Sequence, residues 1–502
     1  MSLVSNRDIL CTVIDKLLVS QWSDIFTLSL VSTTLREITA PLLFKHVKNR
    51  RNWRTTSTNP PIGEVWPATI WKYIARVDVY DRLSPMWPVG DVDFGPLALT
   101  LPQLQALRHV CFELEGSPPN ILLSAIASAR YLNCLEFKNA RFDGPSVVQH
   151  FSHMPLESLK ISIGHIRDEN IDVEQEEANV AEILTVLAEQ LVHLEISGDL
   201  VPFRVLRDAQ WPNLLTLLYT DHVPFGDIIP LPAVTSRMPR LQTLGYNFAA
   251  AARWYKPGFT FCPKHAVLSP LLSDTQPHLQ VLTMSNIVSD DTIFDQLPPG
   301  LRVLRVLALR DDLRYSAGEN KTMPFYPYFP ITHRDAYRIL DKASQLHHLV
   351  ELAITLEDCP SPNLMSAVAQ SCPGLCILEL TQGRYDLNEE ESPYTIQSLA
   401  QPLMAMKSLH DLRITVWFGE QSAGVRTHAT NPEVKIQIEA AAQVFAEILP
   451  QLATISFSFT NLTRYDNTCH PLTWYHVIVR DRLEGCAPVT QFDGYREYYS
   501  HT

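Results

Sequence analysis

The chain has 502 residues, 46% of them hydrophobic, and a formal net charge of −13. That length suits two or three ordinary domains or one long repeat array, and that apolar share requires a real core. The negative balance argues against a general nucleic-acid or anionic-membrane binder, and no run of about 18 apolar residues is present to span a bilayer. Nine cysteines, odd in number and scattered, form no legible disulfide framework and fit a reducing compartment, cytoplasmic or nuclear. Of these, Cys111 and Cys134 sit inside strand-like runs and read as buried thiols.

The first predicted elements are helical. Ile9, Leu10, Val13, Ile14, Leu17 and Leu18 have the spacing of one helix face, and Ser5 with Asp8 suits its start. Ser23-Asp24 starts a second helix with Ile25, Leu28, Val31 and Leu35 on one face, and Pro41 ends or restarts the chain for a third short segment. Three short helices bury little area on their own and need a partner, or the rest of the chain, to cover them.

This stretch resembles the F-box segments of fungal proteins. The resemblance is carried by Leu28-Ser29-Leu30-Val31-Ser32-Thr33-Thr34-Leu35-Arg36 and by the tail Pro41-Leu42-Leu43-Phe44-Lys45-His46-Val47. The family usually opens Leu-Pro-x-Glu, where this chain has Val4-Ser5-Asn6-Arg7. In that family the F-box docks on a Skp-type adaptor of a cullin ubiquitin ligase, and repeats that follow it hold a protein substrate. The resemblance therefore implies an adaptor-binding face of Ile9, Leu10, Val13, Leu17, Leu28, Val31 and Leu35, and a chain that catalyses nothing itself. The alternative is a repeat scaffold without a ligase role, whose first helices shield the end of the array as a cap.

Lys45, Lys48, Arg50, Arg51 and Arg54 follow, and read as a solvated helix end running into a linker. From about Trp71 the pattern apolar-x-x-apolar-x-apolar recurs thirteen times, starting at Ile74, Leu107, Leu132, Leu156, Leu191, Leu214, Leu241, Leu279, Leu304, Leu349, Leu375, Leu409 and Leu452. Several intervals fall in the 20–29-residue range of leucine-rich repeats, and longer ones read as repeats with inserted loops. Helical stretches lie between copies, among them 121–129, 146–154, 179–190, 333–345, 362–371, 395–406 and 434–449. The fold class is therefore α/β: a short N-terminal helical module, then a leucine-rich-repeat solenoid with parallel strands on the concave face and helices outside. The expected divisions are the helical module at 1–50, a linker at 51–70, and the solenoid at 71–486, with inserted loops near 311–331, 383–393 and 419–432. A cap or tail at 487–502 follows a terminal helix over 474–483.

The sequence lacks the constellations that enzyme chemistry needs. It has no Gly-rich phosphate loop, no His-Glu-x-x-His and no Gly-x-Ser-x-Gly. His333-Arg334-Asp335 opens a surface helix, since Leu340 stands where a kinase catalytic loop has Asn. Cys372 and Cys376 have no second pair nearby to complete a metal site, and no cofactor is implied. The acidic block from Asp168 to Glu177 precedes a helix start, where acids favour the helix dipole. Within each repeat the residues between apolar positions face the concave side. Among them Arg76, Tyr80, Lys138, Arg310, Arg413 and Trp417 are the candidate substrate-binding residues. Their mixture of charge and aromatic surface suits an unidentified protein partner better than phosphate, and Trp417 beside Arg413 is the leading anchor.

Overall fold

The computed structural model describes residues 22–50, 66–81, 94–114, 116–144, 148–163, 172–221, 229–248, 259–263, 271–288, 291–309, 330–382, 394–416, 432–459, 473–480 and 489–497. The chain divides into two compact units, residues 1–196 with 200–205, and residues 197–199 with 206–502.

In the first unit the strands are β1 (His46–Arg50), β2 (Arg76–Asp81), β3 (His109–Leu114), β4 (Cys134–Lys138), β5 (Ser158–Ser162) and β6 (His193–Ser197). Each pairs in parallel with the next, without a register slip. Period-2 alternation therefore lines up one side chain per strand into continuous rows. One buried row is Val47, Val77, Val110, Leu135, Leu159 and Leu194; the next holds Val79, Phe112, Phe137, Ile161 and Ile196. These rows are the last two apolar positions of the repeat pattern. The first apolar position, such as Leu132 or Leu156, is buried just ahead of its strand. Each such large side chain removed from water contributes about 1.5–3 kcal/mol. Phe137 is the centre of an aromatic cluster, stacked on Phe112 at 5.6 Å and edge-on to Phe142 at 5.2 Å.

The second unit repeats the plan with β7 (Thr216–Thr220), β8 (Thr243–Tyr246), β9 (Val281–Ser285), β10 (Val303–Leu307), β11 (Glu351–Leu356), β12 (Ile377–Gln382), β13 (Asp411–Thr415) and β14 (Thr454–Phe459), again parallel. Helices supply the other wall of the core. The helix Pro362–Ser371 buries Leu364, Met365 and Val368, and Ser361 caps it by accepting from the Leu364 N–H. The fold is a leucine-rich-repeat solenoid, α/β with parallel strands.

The turns that leave the strands explain how a degenerate repeat still stacks. Asn139, Asp221 and Asn286 each follow a strand and take a positive φ of 62°, 62° and 50°, a conformation that Asn and Asp tolerate best after glycine. The Asn286 amide donates to the carbonyls of Phe248 and Leu309 at 2.8 and 2.9 Å, tying the turn to one repeat on either side. In the first unit the buried Asn179 donates to the Phe142 and Gly144 carbonyls, and Glu176 accepts from the Phe142 N–H at 2.9 Å.

Three expectations are corrected. Residues 46–50 form a strand paired with β2, inside the stretch assigned to the helical module; Val47 is buried in register with Val77. The terminal helix over 474–483 is instead strand β15 (Thr473–Arg480), antiparallel to β14 and paired on its far side with β16 (Val489–Glu497). Val477, in register with Ile455, completes that core row, a pairing a helix would not offer. Of the helix expected over 146–154, the described part Val148–His153 folds as 3-10 turns.

Candidate functional site

The N-terminal helices are the first candidate surface. They run Trp22–Val31 and Thr33–Leu43. Ser32 separates them: it is extended, and its hydroxyl accepts from the Leu35 N–H at 3.1 Å as an N-cap. The expected single face of Leu28, Val31 and Leu35 is therefore broken, because Val31 ends one helix and Leu35 lies on the next. Pro41 sits within the second helix, in its last turn, and starts no third segment. That second helix buries Ile38, Thr39 and Ala40 and packs against the 3-10 turn Ala68–Tyr73. The first leaves Phe26, Leu30 and Val31 at 58%, 62% and 68% exposure. Phe26 and Leu30, four apart and so on one helix face, were not among the expected adaptor residues, although their spacing was in the sequence. Ile9, Leu10, Val13 and Leu17 lie outside the described residues, as does the side chain of Leu28.

The second candidate is the face of the first unit's sheet that points away from the buried rows. Register places His46, Arg76, His109 and Cys134 in one row across β1 to β4, and Lys48, Asp78, Cys111, Glu136, Lys160 and Glu195 in the next across β1 to β6. Asp78 accepts from Arg76 Nε at 2.8 Å and is 2.7 Å from His46 Nε2, with the Tyr80 hydroxyl at 3.3 Å. Glu136 accepts from Lys138 at 3.0 Å and Arg76 Nη2 at 3.4 Å, with His109 Nε2 at 3.2 Å. Lys160 pairs with Glu195 at 2.9 Å. The acids lie low and the bases ride above them. Side-chain exposure is 34%, 42% and 39% for Arg76, Lys138 and Lys160, against 4%, 12% and 11% for Asp78, Glu136 and Glu195.

The electrostatics follow from that layering. Burial alone would raise the Glu136 carboxyl, but hydrogen bonds from His109 and Lys138 outweigh it and hold the group at about 2. Asp78 is likewise held below its ordinary value against burial, by Arg76 and His46. Burial would lower His109, yet its hydrogen bonds to Cys134 and Glu136 raise it to about 9. Cys134 is brought below the ordinary thiol value against burial by hydrogen bonds with His109 and Ser158. Cys111, pushed up to about 12 by burial and then by nearby Glu136, is an inert thiol. Cys134 is thus half-buried on the polar face, and the reading of it as a core thiol is corrected: the row parity that puts Leu135 in the core turns Cys134 outward.

Of the expected substrate-binding residues, the structure brings Arg76, Tyr80 and Lys138 together on this face. Arg413 lies on the sheet of the second unit, where it donates to Asp411 at 2.9 Å and Glu379 at 3.2 Å. Burial opposes its charge, but these two carboxylates raise its pKa further. Arg305 pairs there with Glu351 at 2.7 Å. Arg310 and Trp417 lie outside the described residues. His46 and His109 belong to the charged cluster but were absent from the expected set; only the strand pairing places them there.

Among the described residues no group of three His, Cys, Asp or Glu side chains is placed to hold a metal ion, and no helix is long and apolar enough to cross a membrane. No protein-family model matches the chain, and no curated protein matches it. Among solved structures, the TLR13 chain of a TLR13–ssRNA13 complex is similar over 72% of this chain and 42% of that one, at 16% identity and a TM-score of 0.34. A leucine-rich-repeat protein of Leptospira interrogans is similar over 78% of this chain and 92% of its own, at 14% identity and a TM-score of 0.28. The chain thus spans less than half the length of the TLR13 chain.

Proposed function

We propose that the chain is a protein-binding receptor that couples two surfaces: an apolar helix near the N-terminus that docks on a Skp-type adaptor of a cullin ligase, and a repeat sheet that holds a protein substrate. The observation that carries this reading is the exposure of Phe26, Leu30 and Val31 on one short helix while its neighbour is packed. Three large apolar side chains together on a ten-residue helix are costly to leave in water and suit a partner's groove. The capping alternative accounts for the second helix, Thr33–Leu43, which buries its own Ile38 to Ala40 and packs against the 3-10 turn Ala68–Tyr73. It does not account for the first.

In this reading the chain performs no bond-making step. It acts by effective concentration, holding a substrate near the transferring enzyme. The test is co-elution of the full chain with a purified Skp-type adaptor, beside a Leu30→Asp/Val31→Asp variant. Co-elution that the variant loses, with an unchanged circular-dichroism melt, is expected. No complex with the wild type would leave a capped repeat scaffold.

A further inference from the structure

The layering of charge on the first unit's sheet points to the chemistry of what it holds. We infer that this face docks an acidic protein segment, with Lys138 and Lys160 as its principal contacts and Arg76 beside them. The inference rests on the protein-binding reading above and narrows it to a class of partner.

Hydrogen-bond inventory carries it. An ammonium has three donors and no acceptor, while an ionised carboxylate only accepts. Lys138 spends one donor on Glu136 and Lys160 one on Glu195. Two N–H groups on each remain for a further acceptor. The acids beneath are already served: Asp78 by His46, Arg76 and Tyr80, and Glu136 by Arg76, His109 and Lys138. A partner arriving from solvent meets spare donors first and satisfied, recessed acceptors second. Glu113, half-buried on β3 in register with Lys138, is a further acid of this face, and its charge favours the charged form of Lys138. Lys48, exposed on β1, extends the basic side. Among the described residues of the second unit, Arg413 is shared between two acids and Arg305 is paired with Glu351.

Geometry limits the ligand. From β2, which carries Arg76, to β5, which carries Lys160, is three strand spacings, about 14 Å. An extended peptide covers that in about four residues, so acids four apart along such a segment would span from Arg76 at one end to Lys160 at the other, with Lys138 between them. A chain of net charge −13 repels such a segment elsewhere, which makes the local arrangement selective.

The test uses the full chain and fluorescence anisotropy with three labelled twelve-residue peptides: one rich in Asp and Glu, one Lys-rich and one uncharged. The acidic probe should bind at least tenfold more tightly than the uncharged one, and more weakly as salt rises. Lys138→Gln/Lys160→Gln should weaken it roughly tenfold, while Lys407→Gln, an exposed lysine of the other unit, should leave it unchanged; circular dichroism reports that each variant folds. Equal binding of the acidic and uncharged probes, or acidic binding insensitive to Lys138→Gln/Lys160→Gln, overturns the inference. Preferred binding of the Lys-rich or uncharged peptide overturns the acidic class yet keeps a protein-binding face. No binding of any peptide, with adaptor co-elution intact, overturns the inference while leaving the adaptor-docking half of the proposed function. Displacement of the acidic peptide by a single-stranded RNA that itself binds more tightly also overturns it.

Discussion

Glu136→Gln removes one charge from the centre of the first unit's polar face while keeping the side chain's shape. The carboxyl is held at about 2 rather than its ordinary 4.5 by three donors on β2, β3 and β4. At 1.36 kcal/mol for each tenfold change, that difference sets a ceiling of about 3 kcal/mol. Solvent screening of the half-exposed Arg76 and Lys138 lowers the expected cost at pH 7 to about 1–2 kcal/mol. A depressed carboxylate stabilises above its unfolded value and loses that contribution as pH falls toward the folded one. The gap between wild type and variant should therefore be full at pH 7, shrink below pH 4.5 and close near pH 2. Urea unfolding between pH 7 and pH 3 measures it, and histidine NMR should show His109, near 9 in the wild type, titrating lower in the variant. A cost independent of pH over that range would refute the charge account and leave packing as the cause.

Phe137→Ala should destabilise the first unit by about 3–5 kcal/mol, because the ring is fully buried among Phe112, Phe142 and Phe151; a denaturant melt reading below 1 kcal/mol would contradict the aromatic centre. Asp291→Ala should cost about 2–4 kcal/mol, since the buried carboxylate accepts from the backbone N–H groups of Phe261, Cys262 and Ile293. Amide exchange at those three positions should accelerate, and unchanged rates would mean that water replaces the carboxylate.

The repeat was legible because its signal is simple and multiplied. In Leu132-Asn-Cys-Leu135-Glu-Phe137 the three apolar positions are all fully buried, and the same parity recurs strand after strand. Strand β1 was hidden because Val47 is the one apolar residue of His46-Val47-Lys48-Asn49-Arg50; its place comes from pairing with β2. Strand β15 read as a helix because Trp474, Tyr475, Val477, Ile478 and Val479 are apolar at spacings compatible with either period. In the N-terminal stretch, helical spacing across residues 25–35 predicted one face, and the capping preference of Ser32 divided it.

The site was legible in composition and not in arrangement. Alternation says that Arg76, Asp78, Glu136 and Lys138 share a face, and it is right. It does not say that Asp78 sinks between His46 and Arg76, or that Glu136 collects three donors from three strands. Arg76 and Lys138 each reach an acid two positions away on their own strand, but the other contacts join residues 27 to 60 positions apart, and only the register brings those together.

The central claim is that the helix Trp22–Val31 is a docking surface. Hydrogen–deuterium exchange of the full chain, with and without a Skp-type adaptor, tests it most directly. Protection on binding concentrated within residues 22–43, with the strands β2 to β5 unchanged, is the predicted result. An adaptor that leaves 22–43 unprotected would contradict the claim and assign those helices to capping the repeats alone.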